Sequence, residues 1–260
     1  MCLVVVALDA HPRYALVVAA NRDEFHVRAA LPAHWGDSAP YAGMLAGRDL
    51  LAGGAWMGVR RDGRWALVTN VRDGRRNDSN APSRGELVPA VLNDDAAPAT
   101  ALAALLRKAD PYNGFNLLVG DADSAAWGTN RASGVRPLSS GVYGLSNALL
   151  DTPWPKLART RDAIARWAVR GDDDLSPVFA ALADRTRAQD EALPATGVSL
   201  DWERLLSAPF IVKEDYGTRC STMLAVSRSG AARFVERTFD AHGNASGEVE
   251  FEFDLRRTWT

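Results

Sequence analysis

The first third of the chain contains two pairs of apolar runs, and a short segment of turn-forming residues separates the runs of each pair. Residues 3–8 and 14–20 flank the turn-rich segment 9–13, which predicts a β-hairpin. Because both runs are apolar at consecutive positions, we expect both faces of this sheet to be covered. Residues 56–60 and 65–71 flank an Asp-Gly turn and predict a second hairpin.

Turn formers and further apolar runs continue the pattern. The stretch between the two hairpins contains Pro32, Pro40 and several glycines, which predicts a loop. Residues 72–85 are polar, basic and rich in turn formers, so they are predicted to form an exposed loop. Residues 115–120 and 124–128 then predict a third hairpin.

Helical signals are confined to the middle of the chain, and strands return after it. Start signals and periodicity predict helices over residues 85–92, 98–108, from about 153 to 170, and from 176 to about 187. Residues 188–200 are predicted to be a mobile connection. The final strands are predicted over residues 220–226, 233–239 and 247–255, of which the last alternates strictly.

This order of elements predicts an α+β fold. Strands, then helices, then strands, with doubly covered strands at the start, fit a four-layer αββα sandwich. In that architecture two antiparallel sheets face each other, and a helix layer covers the outside of each. No segment reads as a linker, so residues 1–260 are predicted to form a single domain.

Charge and composition argue against several classes of partner and location. The formal net charge is −2, which argues against a nucleic-acid-binding protein. No apolar run approaches the roughly 20 residues of a membrane-spanning helix, so no integral membrane segment is predicted. The two cysteines form no metal or redox motif, and the chain shows no export signal. A reducing compartment is therefore expected, and we predict a cytoplasmic protein.

The dipeptide Met1-Cys2 is the first candidate for chemistry. A small second residue permits removal of the initiator Met, which leaves a free α-amino group on Cys2. Such an amine has a reference pKa of about 7.7–8.0, in the range of a general base at neutral pH. A thiol and a base on one residue would form an activated nucleophile. The alternative is that Cys2 opens an apolar strand as a core residue.

The tetrad Asn21-Arg22-Asp23-Glu24 directly follows the second apolar run. In a hairpin the end of the second strand lies beside the start of the first, so Asp23 or Asn21 can reach the amine or the thiol of Cys2. A carboxylate there would hold and orient the ammonium form. The alternative is a polar turn whose side chains cap the strand end.

Three further polar residues stand near the ends of predicted strands, namely Asn70, Asn147 and Arg219. Side-chain amides can donate hydrogen bonds to an oxyanion, and an Arg can bind a carboxylate or a phosphate. Asn is also common at strand ends, and most Arg residues are solvated. The residues alone leave both interpretations open.

Short motifs occur in a fixed order along nearly the whole chain, from Met1 to about Leu224. They are Met1-Cys2, the tetrad, GGAWMG at 53–58, LVTN at 67–70, SRG at 83–85, YNGFN at 112–116, LSN at 145–147 with PWPK at 153–156, and YGTRCST at 216–222. This ordered set resembles the NRDE family, the Transport and Golgi organisation 2 group, which takes its first name from the tetrad.

The NRDE family is similar to N-terminal nucleophile hydrolases, most of all to choloylglycine and penicillin V acylases. The resemblance implies the αββα sandwich and roles for individual residues. Cys2 matches the nucleophile, Asp23 the residue that contacts the α-amine, and Asn147 the oxyanion-hole amide. Asn70 matches a second polar group near the oxyanion, and Arg219 an active-site Arg.

One position departs from those acylases. They carry an Arg just before the Asn-x-Asp element, where this chain has Ala20. Arg22 is the candidate that could reach the site from another direction. The residues predicted to bind a ligand around the nucleophile are Asn21, Arg22, Glu24, Trp56 and Arg84.

Two classes of function remain open. The first is a cysteine amidohydrolase that cleaves non-peptide C–N bonds of linear amides through Cys2 and requires no cofactor. The second, implied by the resemblance, is a non-catalytic protein of haem trafficking or of acyl-coenzyme A and lipid binding. In both cases the partner is a small molecule, and nothing in the sequence predicts the oligomeric state.

The second class has its own candidate residues. Four arginines could bind coenzyme A phosphates, although a solvated loop is the simpler interpretation, namely Arg72, Arg75, Arg76 and Arg84. Among four scattered histidines, His26 is nearest the tetrad and is the first haem ligand to test. No His or Cys spacing predicts a metal site.

Overall fold

The computed structural model describes residues 2–73 and 77–256. Its strands are β1 (Cys2–Leu8), β2 (Tyr14–Phe25), β3 (Ala30–Trp35), β4 (Met44–Asp49), β5 (Met57–Arg60), β6 (Trp65–Asn70), β7 (Phe115–Gly120), β8 (Ala125–Thr129), β9 (Val135–Leu138), β10 (Gly141–Leu145), β11 (Tyr216–Ser227), β12 (Ala231–Phe239) and β13 (Ala245–Asp254). Its helices are α1 (Leu87–Leu92), α2 (Pro98–Leu106), α3 (Pro155–Arg170), α4 (Ser176–Leu182) and α5 (Leu200–Leu206).

The strands form two sheets in which all neighbouring strands are antiparallel. The first sheet has the order β10-β1-β2-β11-β12-β13, and the second runs from β3 to β9 in chain order. The N-terminal hairpin therefore lies inside the first sheet, and β1 and β2 each have a neighbour on both sides. This position explains why their sequences are apolar without alternation.

Residues of β1 alternate between two separate cores. Val4 and Val6 pack between the sheets, against side chains such as Met57 of the second sheet. Val5 and Ala7 face outward, where α3 and α4 cover the first sheet. The helices α1 and α2 cover the outer face of the second sheet. These layers confirm the predicted α+β architecture, a four-layer αββα sandwich with two antiparallel sheets.

The longest helix of the described ranges is α3, with 16 residues. Pro155 stands in its first turn, and Gly171 ends it in the left-handed conformation at φ 70°, which glycine adopts without a Cβ penalty. No helix in the described part of the chain is long and apolar enough to cross a membrane.

The prediction of a loop between the first two hairpins is wrong. This stretch contains β3 and β4, which stand at one edge of the second sheet. Pro32 lies in the edge strand β3, where a residue without an N–H is tolerated because one side of the strand has no partner. The prolines and glycines of this stretch therefore led to the prediction of a loop where the structure has two short strands.

The region after residue 176 also differs from its prediction. The helix expected to end near Arg187 ends at Leu182. The predicted mobile connection includes a 3-10 turn, Asp190–Ala192. The short helix α5 follows it, and Ser199 caps α5 by accepting a hydrogen bond from the Trp202 N–H. Neither α5 nor β9 has a counterpart in the predicted pattern.

A buried carboxyl group links the two sheets. Glu236 of β12 is 1% exposed. Its Oε1 accepts a hydrogen bond from the Ala33 N–H of β3 at 2.8 Å, and its Oε2 accepts one from Thr222 Oγ1 at 3.0 Å. Burial raises the pKa of the Glu236 carboxyl, and these hydrogen bonds only partly oppose the rise.

In the wild type, ionisation of Glu236 is expected to lower the free energy of unfolding as the pH rises. Glu236→Gln is expected to abolish this loss. The raised pKa in the folded state means that the unfolded chain ionises first, so the folded state becomes less stable as the pH rises above the ordinary value of 4.5. Each unit of pKa shift corresponds to about 1.4 kcal/mol. Denaturant unfolding at several pH values between 4 and 8 measures this, with roughly equal stability expected at pH 4. An equal slope in both proteins would contradict the account.

Candidate active site

Cys2 opens β1 beside the end of β2. In the register of the hairpin Cys2 pairs with Arg22, so the two side chains stand on the same face of the sheet. Cys2 is half-buried, and Ser146 Oγ donates a hydrogen bond to its carbonyl oxygen at 2.9 Å. The start of β1 is thus held in place while its thiol faces a cavity.

The cavity beside Cys2 has a volume of about 460 Å³. A neighbouring cavity of about 560 Å³ shares part of its wall. The residues common to both are Glu24, Arg28, Asn70, Asn77, Arg84 and Asn113. We call the two together the Cys2 cleft. Charged and amide side chains dominate this wall, so the cleft fits a polar small molecule.

The Cys2 thiol needs a proton acceptor to become a nucleophile. Burial raises the pKa of the Cys2 thiol, and the carboxylates of Asp23 and Glu24 add to the rise, whereas Arg22 opposes it. The thiol is therefore protonated at neutral pH. Since the thiolate is the attacking species, a nearby base has to remove this proton.

Asp23 is the carboxylate placed beside the start of β1. Because Cys2 pairs with Arg22, the backbone nitrogen of Cys2 lies toward Asp23, the next residue along β2. Asp23 is 1% exposed, and Thr218 Oγ1 donates a hydrogen bond to its Oδ1 at 2.7 Å. Burial raises the pKa of Asp23, and Lys156 and the Thr218 hydrogen bond oppose the rise.

Lys156 belongs to this cluster, although the sequence reasoning gave it no role. It lies in the first turn of α3 and is 1% exposed. Burial lowers its pKa to about 8, and Asp23 is the strongest of the groups that oppose this. A signal was present in the sequence, since Pro155 marks a helix start and the helix dipole disfavours a cation in the first turn.

Two contacts hold Arg22 at the wall of the cleft. Its Nη2 donates to Asp49 Oδ2 at 2.9 Å, and its guanidinium lies 4.6 Å from the centre of the Trp56 ring. Asp49 also accepts from Arg28 Nε at 2.5 Å. Among the described residues, Arg22 Nη1 has no hydrogen-bond partner. This buried nitrogen is a free donor on the face that carries Cys2.

Two side-chain amides lie near the cleft. Asn70 ends β6 and lines both cavities of the cleft. Asn147 is fully buried, and its Nδ2 donates to the Asn70 carbonyl at 2.9 Å. An amide NH₂ has two hydrogens, so Asn147 retains one donor beyond this bond. Asn147 does not line either cavity of the Cys2 cleft; it lines a separate cavity together with Arg72 and Trp154.

Arg84 faces the cleft from the segment before α1. Its Nη1 donates to the Gly114 carbonyl at 3.2 Å, and no carboxylate pairs with it in the described ranges. Burial lowers the pKa of Arg84, and Cys2 is the first of the groups that oppose this. Arg84 is therefore a cation close to Cys2 that can bind an anionic group of a ligand.

Comparison with known proteins places the chain in a family. The profile of Transport and Golgi organisation 2 matches residues 1–241. The Bos taurus homologue of Transport and Golgi organization protein 2 is 34% identical over 92% of this chain and 93% of its own length. The Homo sapiens homologue is 31% identical over 98% of this chain and its whole length. The chain belongs to the Transport and Golgi organisation 2 family.

Solved structures similar to this family member are N-terminal nucleophile hydrolases. A Caenorhabditis elegans N-acylethanolamine-hydrolyzing acid amidase ortholog has a TM-score of 0.50 at 11% identity and covers 86% of this chain and 92% of its own. A C2A mutant of the conjugated bile acid hydrolase from Clostridium perfringens has a TM-score of 0.51 at 9% identity, over 98% and 92%. At these identities the likeness shows the shared fold, as the family resemblance implied.

Two of the predicted site residues, Asn21 and Arg219, use their side chains for hydrogen bonds within the protein and not for the Cys2 cleft. Asn21 Nδ2 donates to the carbonyls of Leu182 and Pro209, and its Oδ1 accepts from Ser221. Both hydrogens of this amide and its oxygen are thus engaged within the protein. Asn21 holds the end of β2 to the helix layer and is not available to a ligand.

Arg219 is the other residue that does not fit its predicted role. The pairing of β11 with β2 shifts between Thr218 and Cys220, so Arg219 sits in a bulge, which re-aims a side chain. Its Nη1 donates to the carbonyls of Phe25, His26 and Arg28 at 3.1–3.2 Å. Arg219 therefore holds the segment after β2 and does not line the Cys2 cleft.

The candidates for haem or coenzyme A are only partly available. His26 has a ring nitrogen 3.1 Å from the Lys213 carbonyl. Arg72 is buried and pairs with Glu203 at 2.6 Å, so it is not free for a phosphate. Arg75 and Arg76, like Met1, lie outside the described residues. Of the two arginines in this set that the structure describes, only Arg84 faces the cleft without a described carboxylate partner.

Proposed function

We propose that this member of the Transport and Golgi organisation 2 family is a cysteine amidohydrolase that cleaves non-peptide C–N bonds of small amides through Cys2. The observation that carries the proposal is the position of Cys2, whose thiol faces a polar cleft and whose backbone nitrogen lies toward the buried carboxylate of Asp23. Removal of Met1 would turn that nitrogen into the base that the thiol needs.

The proposed reaction has two stages. The Cys2 α-amine takes the thiol proton, and Sγ attacks the amide carbon to form a C–S bond. The amine then passes its proton to the leaving nitrogen as the C–N bond breaks, which leaves a thioester on Cys2. A water molecule attacks the thioester, the amine takes a proton from it, and this proton returns to the sulfur as the acid is released.

The surrounding groups have supporting roles in this proposal. Asp23 orients the amine, and Asn70 and Asn147 offer amide hydrogens to the oxyanion. Arg22 stands opposite Cys2 with a free Nη1 and takes the place that an Arg at position 20 would fill, because residues 20 and 22 of a strand share a face. Its positive charge favours the thiolate.

Two further observations support a hydrolase. The similar structures are named as an N-acylethanolamine-hydrolysing amidase and a conjugated bile acid hydrolase. The wall of the cleft combines amide donors with the cation of Arg84, which no described carboxylate neutralises, and such an arrangement is typical of sites that fix a small polar substrate. Both cysteines are free thiols, which favours a reducing compartment, and we propose the cytoplasm.

Selective alkylation tests the proposal. Iodoacetamide is expected to modify half-buried Cys2 before Cys220, which is 4% exposed, and hydrolysis of an amide substrate should fall in proportion to Cys2 modified. The Cys220→Ser protein serves as the matched control and should be inactivated at the same rate. Full hydrolysis by a protein whose Cys2 is completely alkylated would reject the proposed function.

Arg84→Gln is expected to weaken the binding of anionic substrates. A hydrogen bond to a charged group contributes about 1.5–3 kcal/mol, so kcat/KM should fall about 10- to 100-fold for an amide that carries a carboxylate. An uncharged amide of the same size should be hydrolysed at an unchanged rate. Steady-state kinetics with this matched pair measures the effect, and equal losses on both substrates would contradict an anion-binding role.

A carrier of acyl-coenzyme A is the second candidate, and the unpaired Arg84 favours it, because coenzyme A carries phosphates. Titration of the purified protein with an acyl-coenzyme A and, separately, with haem distinguishes the carrier from the enzyme. Binding of an acyl-coenzyme A at low micromolar concentration without any modification of Cys2 would favour the carrier. If neither ligand binds below high micromolar concentration, the carrier proposal fails.

A further inference from the structure

Lys156 is a buried lysine that the proposed mechanism does not use. Its side chain is 1% exposed, and among the residues that the structure describes its Nζ has no hydrogen-bond partner. Removal of an ammonium from water disfavours its charged form unless negative charge lies nearby. The surroundings of Nζ therefore decide whether Lys156 carries a charge.

Charged groups from several elements surround Lys156. Burial lowers the pKa of Lys156 to about 8; Asp23, Cys2 and Glu203 oppose this, whereas Arg72 adds to it. The charged and titratable groups that act on Lys156 are Cys2 on β1, Asp23 on β2, Arg72 after β6 and Glu203 on α5. Tyr216 on β11 interacts with three members of this set, namely Asp23, Cys2 and Arg72. Glu203 already pairs with Arg72 at 2.6 Å. Asp23 is thus the carboxylate that remains to attract Lys156.

The same carboxylate lies beside the backbone nitrogen of Cys2, because Cys2 pairs with Arg22 in the hairpin. Once Met1 is removed, two amines therefore lie close to one buried acid. We propose that Lys156 is a positioning residue that shares the Asp23 carboxylate with the α-amino group of Cys2 and thereby keeps that amine uncharged at neutral pH. This inference rests on the proposed function, in which the free amine accepts the thiol proton.

Electrostatics gives the reason for this arrangement. If Asp23 had the α-amine as its only cationic partner, the ion pair would hold the amine as ammonium, which cannot accept a proton. A second cation beside the same carboxylate repels the first, which lowers the pKa of the α-amine. With a pKa of about 8, Lys156 still carries its charge for the most part at neutral pH. Lys156 therefore favours the free amine of Cys2.

The pKa of the α-amine can be measured without any turnover. A Cys2→Ser background keeps a small second residue and an α-amine but removes the competing thiol. Trace labelling with acetic anhydride between pH 5.5 and 10, read by mass spectrometry of the N-terminal peptide, gives the pKa of the amine. The comparison covers the background alone, K156M, which keeps the volume, and K156R, which keeps the charge.

In K156M the pKa of the amine is expected to rise by about one unit, since a like charge near the same carboxylate is removed. In K156R it should stay close to that of the background. K156Q replaces K156M if the latter does not show the melting transition of the background. An unchanged or lower value in the neutral variants would overturn the inference, and so would an N-terminus that retains Met1.

Failure of this inference and failure of the proposed function are distinguishable. With Cys2 intact, a protein that hydrolyses amides but whose amine pKa does not respond to K156M keeps the function and loses the inference. A protein whose amine responds to K156M but which never hydrolyses an amide keeps the inference about Lys156 and Asp23 and loses the function.

Discussion

Cys2→Ala is expected to lower the rate of amide hydrolysis at least about 1,000-fold, because the attacking sulfur is removed and no covalent intermediate can form. Alanine is small, so removal of Met1 should proceed as before, and the α-amine stays in place. The substitution therefore separates the thiol from the base. Steady-state kinetics with an amide substrate measures the loss.

Cys220→Ser provides the control for this prediction. Cys220 is the other cysteine of the chain, is 4% exposed, and contacts Thr222 Oγ1 at 3.9 Å. Its replacement should leave hydrolysis within about twofold of the wild-type rate, since it neither lines the Cys2 cleft nor takes part in the reaction. Comparable activity in Cys2→Ala and in Cys220→Ser would contradict the assignment of Cys2 as the nucleophile.

Asp23→Asn is expected to lower kcat about 100-fold with a smaller change in KM. Asparagine has the same size and can still accept the hydrogen bond that Thr218 Oγ1 donates at 2.7 Å, but it lacks the charge that orients the amine. The substrate cleft keeps its shape, so the effect falls on the chemical step. Kinetics well below the melting temperature measures it, and a loss of less than twofold would contradict the role of Asp23.

The double variant D23N/K156M controls for folding. Asp23→Asn alone leaves the buried Lys156 without its main compensating charge, so the single variant should melt at a lower temperature than wild type. Removal of the ammonium in the double variant should recover melting temperature without recovering activity. Recovery of both would mean that Asp23 acts through stability alone.

The local pattern of apolar residues was sufficient to predict the N-terminal hairpin and the burial of both of its faces. The runs in β1 and β2 are apolar at consecutive positions, and the structure buries Val4 between the sheets and Val5 under the helices. The edge strand β3 and its neighbour β4 could not be predicted in this way. They are short, they contain or adjoin turn formers such as Pro32, and they depend on pairing with each other and with β5.

The alternation of side chains along β2 places the residues of the tetrad on two different faces of the sheet. Asn21 and Asp23 point toward the helix layer, where Asn21 binds carbonyls and Asp23 interacts with Lys156 of α3. Arg22 points toward the second sheet, where it binds Asp49. The period of a strand is enough to separate these faces, but it does not say which face carries which partner.

Two features of the site depend on long-range structure. Lys156 approaches Asp23 because α3 packs on the first sheet, and the chain segments concerned are far apart in the sequence. The bulge at Arg219 likewise results from the pairing of β11 with β2. A motif can therefore suggest Arg219 as a site residue, whereas only the register shows that its side chain binds the segment after β2.

Intact mass spectrometry during turnover tests the central claim most directly, because it reports the N-terminus and the covalent intermediate together. Rapid acid quenching of the protein with a slowly hydrolysed amide should give a species that lacks Met1 and carries one acyl group, and peptide mapping should locate that group on Cys2. A protein that hydrolyses the amide while it retains Met1, or while its acyl group lies on another residue, would contradict the account.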